Sequence, residues 1–377
     1  MLRRPVGAAG RPWQRRFEMT DWLNNLNPTA QFALFTAVKV IAAFSVMMFI
    51  VAYIVLVERR VCAFIQDRLG PNRVGPFGLL QPAADAVKAF FKEEITPAHV
   101  RRVFYVLAPM IALIPAILNL AVIPFGSTLG KQNMVLADLN VGILYTFGIV
   151  SLGVYSIVLA GYAANSKYPF LGGIRSSAQM ISYEISMGMS VIPVFLCVGS
   201  LNLSAVIQSQ TGTAAWLPLL PNWFVFQSPM TFLAFCIFLG ASFAETNRTP
   251  FDLPEAEQEL AGGYNVEYSS MKFAMFFMGE YANMILASAM MVTLFFGGWT
   301  LPWFGLDQPA SSLPGGVLHI GVFLAKVLAF LVLFIWVRWM WPRFRYDQLM
   351  NLGWQRFIPI ALANIVVTAV WLWWRTK

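Results

Sequence analysis

The sequence predicts an all-α polytopic membrane protein with about eight transmembrane helices, a cytoplasmic-side amphipathic helix and a short acidic loop helix. Hydrophobic residues make up 58% of the 377 residues and charged residues only 12%, about half the charged fraction of a soluble domain. Apolar runs long enough to cross a bilayer recur along the chain. They are continuous rather than alternating, and backbone in lipid must satisfy its own hydrogen bonds, which favours helices over a β-barrel.

Eight apolar runs are predicted to cross the membrane, and no short repeat relates them. They are residues 31–57, 103–125, 141–164, 178–198, 228–244, 268–296, 317–338 and 357–374. We expect a tail at 1–28 and a single transmembrane domain at 29–377. The tail holds five arginines but no apolar core, so it is not a secretory signal. A transit peptide is one alternative for it, and a natural start at Met19 is the favoured one.

Basic residues in the connections between these runs predict the orientation. The first, third, fifth and seventh connections (58–103, 165–178, 245–272 and 338–356) hold sixteen Lys and Arg residues. The other three (126–140, 199–227 and 297–316) hold only Lys131. Because Lys and Arg concentrate in cytoplasmic loops, we expect the first set inside and both termini outside. The net charge of +8 reflects this bias and does not indicate a nucleic-acid surface.

The first connection combines a rigid turn with an amphipathic helix. Gly70-Pro71 and Gly75-Pro76 indicate a turn rather than a continued helix. Residues 76–93 place apolar side chains at helical spacing, with Asp85 on the opposite side. The pattern is compatible with a helix lying in the headgroup region or with a helix that borders the entrance for an apolar ligand.

Five of the 18 acids lie between residues 244 and 260, namely Glu245, Asp252, Glu255, Glu257 and Glu259. Asp252 followed by Pro254 and Glu255 is typical of a helix start, and two glycines at 262–263 would end that helix. Glu245 and Arg248 are three residues apart and are expected to pair. Carboxyls held close together in a poorly solvated place titrate as a coupled set, so the cluster is predicted to hold and pass on protons.

Charged residues also lie inside the apolar runs. Glu280 and Glu184 each stand next to a tyrosine deep in a run, and their short side chains cannot reach the membrane surface. A charge at mid-bilayer costs about 2.5–3.5 kcal/mol, so these two acids are predicted to be functional and to face a protein interior. Lys39 and Lys326 interrupt the first and seventh runs, and Lys39 is expected to snorkel.

The chain lacks the ligand sets of redox centres. Its three cysteines, Cys62, Cys197 and Cys236, are isolated, and its two histidines are far apart in sequence. Haem, iron–sulfur and zinc sites need more ligands than this. We therefore expect no cofactor bound by this chain, and any metal centre belongs to a partner.

Five stretches together resemble one known family. They are "ERRVCAFIQDRLGPNRVGPFGLLQPAADAVKAFFKE", "SKYPFLGGIRSSAQMISYEISMGMS", "FAETNRTPFDLPEAEQELAGGYNVEYSS", "GEYANM" and "PRFRYDQLMNLGW". In this order, from about residue 30 to the C-terminus, they are similar to the H subunit of proton-translocating NADH:quinone oxidoreductase, respiratory complex I, the homologue of mitochondrial subunit one. The tail before Met19 departs from the family.

The resemblance implies an enzyme subunit in the bacterial inner membrane, at the heel of the membrane arm, with both termini periplasmic. Helices two to six would resemble the half-channels of the antiporter-like subunits. Quinone would be the substrate, and flavin and iron–sulfur clusters would lie in partner subunits. Those partners would be peripheral-arm iron–sulfur and quinone-site subunits on the cytoplasmic side and other membrane-arm subunits, including antiporter-like ones.

The resemblance also implies residue roles. The quinone-chamber residues would be Glu58, Arg59, Arg68, Asp85 and Glu93. The proton-relay acids would be Glu184, Glu245, Asp252, Glu255, Glu257, Glu259 and Glu280, with Arg175, Arg248 and Tyr183 beside them. The roles of Asp85 and Glu93 are implied by the resemblance alone, because the sequence pattern by itself indicates that these two residues are solvated.

Two other functions are compatible with parts of the pattern. The equivalent subunit of a membrane-bound hydrogenase or formate hydrogenlyase would share the acids without needing quinone, but the complete "GPNRVGP" turn and the amphipathic helix favour the quinone enzyme. An independent cation or proton transporter with Glu280 as its ion site usually shows inverted repeats, which we do not find in this sequence.

Overall fold

The structure is a computed structural model that describes residues 27–129, 132–214, 217–253, 262–310 and 312–376. The chain divides into two units, Met1–Ala43 and Phe44–Lys377. The described part of the first unit is helical from Pro28 onward. The predicted boundary between a tail at 1–28 and one transmembrane domain at 29–377 stays a prediction.

Helices dominate the described residues. In chain order they are α1 (Pro28–Ile65), α2 (Gln81–Phe91), α3 (Arg102–Asn119), α4 (Gly142–Val150), α5 (Leu152–Ala163), α6 (Lys167–Val198), α7 (Leu203–Ser209), α8 (Phe224–Gln227), α9 (Pro229–Glu245), α10 (Ser270–Phe295), α11 (Leu313–Met340), α12 (Tyr346–Asn351) and α13 (Ile358–Thr376). A π-helical turn, Leu352–Phe357, joins the last two. Two antiparallel hairpins pair β1 (Thr128–Leu129) with β2 (Gln132–Asn133) and β3 (Thr213–Ala214) with β4 (Leu217–Pro221).

The predicted polytopic all-α fold is confirmed. Within the described ranges, seven helical segments are long and apolar enough to cross a membrane, with α4 and α5 counted as one segment and α12 to α13 as another. The remaining predicted run corresponds to α9, an apolar helix of 17 residues. Its first turn is fixed by Pro229 and by the Ser228 side chain, which accepts a hydrogen bond from the Thr231 amide at 3.2 Å.

Two helices extend well beyond their predicted runs, because hydropathy marks the apolar part of a helix and not its end. The helix α1 continues past residue 57 through Glu58 and Arg59 to Ile65, since no helix-breaking residue precedes the Gly70-Pro71 turn. The helix α6 begins at Lys167 rather than near 178. Its early turns pack on α5, where a Cβ on Gly161 would lie 2.7 Å from the Pro169 carbonyl oxygen.

The core is centred on α10, the spanning helix with the largest buried share in the described chain. Its side chains from Met284 to Phe295 pack with residues of α6, α9 and α11 in one continuous apolar cluster. On another side α10 crosses α3 so closely that a Cβ on Gly279 would lie 2.9 Å from the carbonyl oxygen of Ala112. This crossing fixes the position of Glu280, the next residue in the chain.

The amphipathic helix α2 lies on the surface. The predicted element at 76–93 is shorter in the structure, because Pro76–Gly78 forms a 3-10 turn and α2 itself begins at Gln81. None of its residues is buried, and Phe90 and Phe91 are 69% and 87% exposed. An apolar face this open needs lipid or another subunit against it.

Lys326, which interrupts an apolar run, caps irregular backbone inside the molecule. Its ammonium donates hydrogen bonds to the carbonyl oxygens of Phe296, Gly298 and Thr300 at 2.7–2.9 Å. The same ammonium lies 4.2 Å from the ring centroid of Trp223. These carbonyls follow the end of α10, where helix hydrogen bonding stops and a donor is needed.

The predicted acidic loop helix falls largely on residues 254–261, which lie outside the described residues. Glu255, Glu257 and Glu259 are therefore not placed. On either side, Asp252 and Leu253 are irregular backbone, and Gly262 adopts a left-handed conformation with φ of 104°.

Candidate functional site

Glu58 is the centre of a buried charged group. It lies in α1, is 6% exposed and faces inward rather than toward the surface. Its carboxylate accepts hydrogen bonds from Arg248 Nη1 at 3.1 Å and from the Tyr281 hydroxyl at 2.7 Å. Arg338, at the end of α11, forms a second ion pair with the same carboxylate. A carboxylate with three charged or hydroxyl donors is well compensated despite its burial.

Arg248 is shared between two carboxylates. While Nη1 holds Glu58, Nε lies 3.2 Å from Oε1 of Glu280, and the guanidinium carbon lies 4.4 Å from the ring centroid of Tyr281. Burial disfavours the charged guanidinium, but the Glu280 carboxylate and then Glu58 outweigh it, so the pKa of Arg248 lies above its ordinary value. We call Glu58, Arg248, Glu280, Tyr281 and Arg338 the Glu58 cluster.

Asp252 extends the charged region from the loop after α9. Its Oδ2 accepts a hydrogen bond from Arg343 Nη2 at 3.0 Å, and the Asp252 side chain is largely buried. Burial raises the pKa of Asp252 above its ordinary value of 3.8, and the guanidiniums of Arg343 and Arg338 offset this only in part. Since Arg338 also pairs with Glu58, the same guanidinium acts electrostatically on both Asp252 and Glu58.

A small cavity joins Glu280 to Glu245. It has a volume of about 30 Å³, and its lining includes both carboxyls together with Ser156, Asn247 and Asn283. Neither oxygen of Glu245 has a hydrogen-bond partner among the described residues. A cavity of this volume is large enough for a water molecule. The two acids, on α9 and α10, thus line one cavity.

Glu184, on α6, lies close enough to Glu245 for its charge to act on that buried carboxyl. The expected pair of Glu245 with Arg248 does not form, because Arg248 faces Glu58 and Glu280 on the other side of the loop. The prediction of that pair is wrong because residues 246–248 lie beyond the end of α9, where helical i, i+3 geometry no longer applies.

Tyr183 and Arg175, both expected beside the relay, contact residues of α12. Tyr183 is fully buried, and its hydroxyl donates to the Leu349 carbonyl oxygen at 2.9 Å, away from the adjacent Glu184. The Arg175 guanidinium lies 5.3 Å from the ring centroid of Tyr346. Glu255, Glu257 and Glu259 lie outside the described residues, so their distances to this line are open.

The five expected quinone-chamber residues do not converge on one place. Glu58 belongs to the buried cluster, whereas Arg59 pairs with Asp85 at 2.7 Å on the surface, linking α1 to α2. Arg68 follows α1 and is exposed, with Nη2 lying 3.7 Å from the Cys62 sulfur. Glu93 is exposed after the end of α2. The Arg59–Asp85 pair fixes the surface helix against the end of the first span.

Three residues of the charged region are absent from the sequence-based site, namely Tyr281, Arg338 and Arg343. Arg338 and Arg343 stand at the end of an apolar run, where basic residues usually anchor a helix at the membrane surface. The one signal in the sequence is that Tyr281 follows Glu280 directly. Only the packing of α1 against α11 reveals that Arg338 meets Glu58, 280 positions away.

The charged region consists of carboxyls and guanidiniums. In the part of the chain that the structure describes, no group of three or more His, Cys, Asp or Glu side chains is placed to hold a metal ion. Because one guanidinium, that of Arg248, contacts both Glu58 and Glu280, the two ion pairs are coupled.

Comparison with known proteins gives consistent matches over nearly the whole chain. The sequence model of the NADH dehydrogenase family matches residues 38–369. An H subunit of NADH-quinone oxidoreductase from Cytophaga hutchinsonii is 47% identical over 345 residues, 90% of this chain and 96% of that protein. The H subunit from Rickettsia prowazekii is 52% identical over 333 residues (88% and 92%), and NADH-quinone oxidoreductase subunit 8 from Rhodothermus marinus is 49% identical over 340 residues (89% and 96%).

Proposed function

The chain belongs to the NADH dehydrogenase family, as a multi-pass membrane subunit of NADH-quinone oxidoreductase, and from this membership we propose that it couples quinone reduction to proton translocation. The quinone would enter beside α1 and α2. When the quinone is reduced, the change in its charge would act on the Glu58 cluster. Protons would then move along the buried carboxyls. The matched relatives are quinone oxidoreductase subunits, which favours this function over a hydrogenase subunit or an independent transporter.

The observation that carries the proposal is the sharing of Arg248 between Glu58 and Glu280. A proton gained or an anion placed near Glu58 weakens or strengthens one of two competing ion pairs of the same guanidinium. Glu280 would then be released from Arg248 or held by it. Within the described chain, Glu280 is the member of the Glu58 cluster that also lines the cavity toward Glu245. A change in its pairing with Arg248 would therefore be passed on as proton movement through that cavity.

Beyond the cavity, the line of acids would continue through Glu245 to Glu184. The charge of Glu184 acts on Glu245, so a proton on one of the two carboxyls would favour the ionised form of the other. Asp252 and the acids at 255, 257 and 259 would supply protons from the cytoplasmic side. The chain would therefore form a wall of the quinone chamber and the first stage of the proton path toward other membrane-arm subunits.

The partners follow from the same proposal. Flavin and iron–sulfur clusters would lie in peripheral-arm subunits that dock on the cytoplasmic connections, where Glu58 and Asp252 lie close to basic residues. Within the membrane, antiporter-like subunits would respond to the change in charge along the line of acids. The complex would lie in a bacterial inner membrane, with both termini of this chain on the periplasmic side.

Glu280→Gln and Glu255→Gln test the relay. Each is expected to lower coupled quinone reduction by about tenfold or more, the scale of losing a proton-transfer group, while assembly stays largely intact. The measurement is NADH-dependent quinone reduction together with proton uptake in membrane vesicles. Glu94→Gln is the matched control, because Glu94 is half-exposed and pairs with Lys272. Normal turnover and proton yield in both relay variants would rule out the assignment.

Arg68→Ala tests quinone access. Arg68 lies in the turn that follows α1 and contacts Cys62, so its loss is expected to disturb the entrance and not the acids. A comparison of short- and long-tailed quinones separates damage to the entrance from damage to the acids. A damaged entrance should lower the rate with the long-tailed quinone more than the rate with the short-tailed one. Equal loss with both quinones in a fully assembled complex would argue against a role at the entrance.

A further inference from the structure

A groove at the end of the last helix has the chemistry of a phospholipid site. It has a volume of about 380 Å³ and lies between α13 and the start of α9. Its lining is apolar throughout: Met230, Val366, Val367, Val370, Trp371 and Trp374. Because α13 is part of a membrane-spanning segment, this groove opens toward lipid or toward a protein that takes the place of lipid at this surface.

The groove is preformed rather than a chance gap. The buried side chain of Asn364 donates from Nδ2 to the carbonyl oxygen of Met230 at 3.0 Å, which ties α13 to α9. Thr368, one turn later, is also buried and donates to the Asn364 carbonyl oxygen at 2.7 Å. The polar side of α13 is therefore turned inward, and Val366 and Val370, 55% and 59% exposed, are left on the open side.

A cation lies beside one of the two tryptophans that line the groove. Arg375 is exposed, and its guanidinium carbon lies 5.4 Å from the ring centroid of Trp371, a groove residue. Among the described residues no carboxylate pairs with Arg375. Tryptophan beside an unpaired arginine at the end of a spanning helix is the arrangement found at the headgroup level of a bilayer. Guanidinium also matches the geometry of phosphate oxygens.

We propose that this groove binds an anionic phospholipid, with one acyl chain along Val366, Val367 and Val370 and the headgroup phosphate on Arg375. Charge complementarity selects lipid over a neighbouring apolar helix, because a helix would leave the guanidinium unpaired at the membrane surface. The two tryptophans would border the glycerol region, where their rings favour the interface. The residues proposed to bind the lipid, 366–375, lie far in sequence from the acids, and the proposal does not depend on the proposed relay.

The test measures lipid retained by the intact complex in mild detergent after re-addition of phosphatidylglycerol or phosphatidylcholine. Arg375→Gln is expected to lower retained phosphatidylglycerol about fivefold at limiting lipid, which corresponds to about 1 kcal/mol, with no effect on phosphatidylcholine. Val367→Trp, which fills the groove, is expected to lower retention of phosphatidylglycerol by a similar factor. Arg356→Gln and Leu362→Trp are matched controls on exposed positions outside the groove.

Arg375→Lys is expected to keep most of the retained lipid, because the charge remains. Unchanged retention in Arg375→Gln, or a loss in only one of the two main variants, overturns the site. A photoreactive residue at position 367 supplies an independent readout in the membrane. Cross-linking to phospholipid supports the proposal, whereas cross-linking to another protein of the complex shows that a protein helix fills the groove.

Discussion

At the scale of single residues, the main feature is one guanidinium divided between two acids. Arg248 pairs with Glu58 and with Glu280 at nearly equal distances, 3.1 and 3.2 Å. Arg338 supplies a second positive charge on the Glu58 side, and Tyr281 a hydroxyl. Removing one partner of a buried ion pair costs about 3–5 kcal/mol because the other charge is left uncompensated. Substitutions in the Glu58 cluster should therefore differ according to whether they remove charge.

Glu58→Gln and Tyr281→Phe separate charge from hydrogen bonding. Glu58→Gln removes the one carboxylate that both Arg248 and Arg338 contact, so neither guanidinium keeps this partner, and we expect poor assembly and loss of quinone reduction. Glu280→Gln differs, because Glu58 still compensates Arg248 in that variant. Tyr281→Phe keeps the aromatic ring beside Arg248 and removes only the hydroxyl that donates to Glu58. A loss of about 1–3 kcal/mol in stability is expected, the cost of a hydrogen bond to a charged group.

The measurement for both variants is the amount of assembled complex and its thermal midpoint, followed by quinone reduction. If Tyr281→Phe proves as damaging as Glu58→Gln, the hydroxyl has a role larger than hydrogen bonding to Glu58. If Glu58→Gln assembles normally, the charge balance inferred for the Glu58 cluster is incorrect.

Asp252 gives a prediction for pH. Its pKa in the folded protein lies above the ordinary value of 3.8, so the folded state favours the protonated form. The stabilising contribution is present below pH 3.8 and is lost as pH rises through the folded pKa. Asp252→Asn removes this loss, so the thermal midpoint of the variant minus that of the parent complex should rise with pH above about pH 4 and level off once the pH exceeds the folded pKa of Asp252.

The measurement is thermal unfolding of the detergent-solubilised complex at several pH values. Asp347→Asn is the control, because that carboxylate is exposed and pairs with exposed Arg345. A difference between Asp252→Asn and the parent that stays flat over this range, or that falls with rising pH, would mean that Arg343 compensates the Asp252 charge completely.

The sequence singles out acids by the cost of placing them in lipid, but it does not identify their partners. Glu184 and Glu280 stand out because few acids interrupt the apolar runs. Arg338 does not stand out, because a basic residue at the end of a span is ordinary. Its pairing with Glu58 depends on how α1 and α11 pack, and sequence spacing carries no information about contacts 280 positions apart.

At the scale of helices, the order of the apolar helices follows from hydropathy, while their ends do not. The apolar stretch of α6 begins near residue 178, but the helix begins at Lys167 because glycines allow its early turns to pack on α5. Close packing through small residues is the usual solution between helices in a membrane, where burial of apolar surface supplies little driving force. The same device places Glu280.

Gly279 is predicted to set the position of Glu280 by allowing α10 to touch α3. A Cβ at Gly279 would lie 2.9 Å from the backbone oxygen of Ala112, so Gly279→Ala must push the helices apart. We expect a loss of about 1–3 kcal/mol in stability, the usual cost of overpacking, together with reduced coupled activity.

Gly188→Ala is the matched control, because a Cβ there meets no atom within 4 Å. In that case alanine should be neutral or stabilising by up to about 1 kcal/mol, since glycine is the poorer helix former. Thermal midpoints and proton yield of the two variants are compared. Equal behaviour of the two alanines would show that α3 and α10 are not held at this crossing.

At the scale of the whole molecule, the distribution of basic residues and the position of the acids support one arrangement. The connections rich in Lys and Arg are also those that carry Asp252 and the end of α1 with Glu58. The short hairpins β1–β2 and β3–β4 lie in the connections that are poor in basic residues. If the basic side is cytoplasmic, the Glu58 cluster lies near the side where a peripheral arm would deliver electrons.

Single cysteines test this orientation. Asn140→Cys places a cysteine at an exposed position before α4, in a connection that is expected to be periplasmic. Asp347→Cys places one at an exposed position of α12, which is expected to be cytoplasmic. In spheroplasts a membrane-impermeant maleimide should label Asn140→Cys at once and Asp347→Cys only after the membrane is opened with detergent. A background lacking Cys197 and Cys236 prevents labelling of the native thiols, of which Cys62 is buried. Labelling in the opposite order would place the Glu58 cluster on the far side of the membrane from the expected electron donors, and coupling through it would then need a different route.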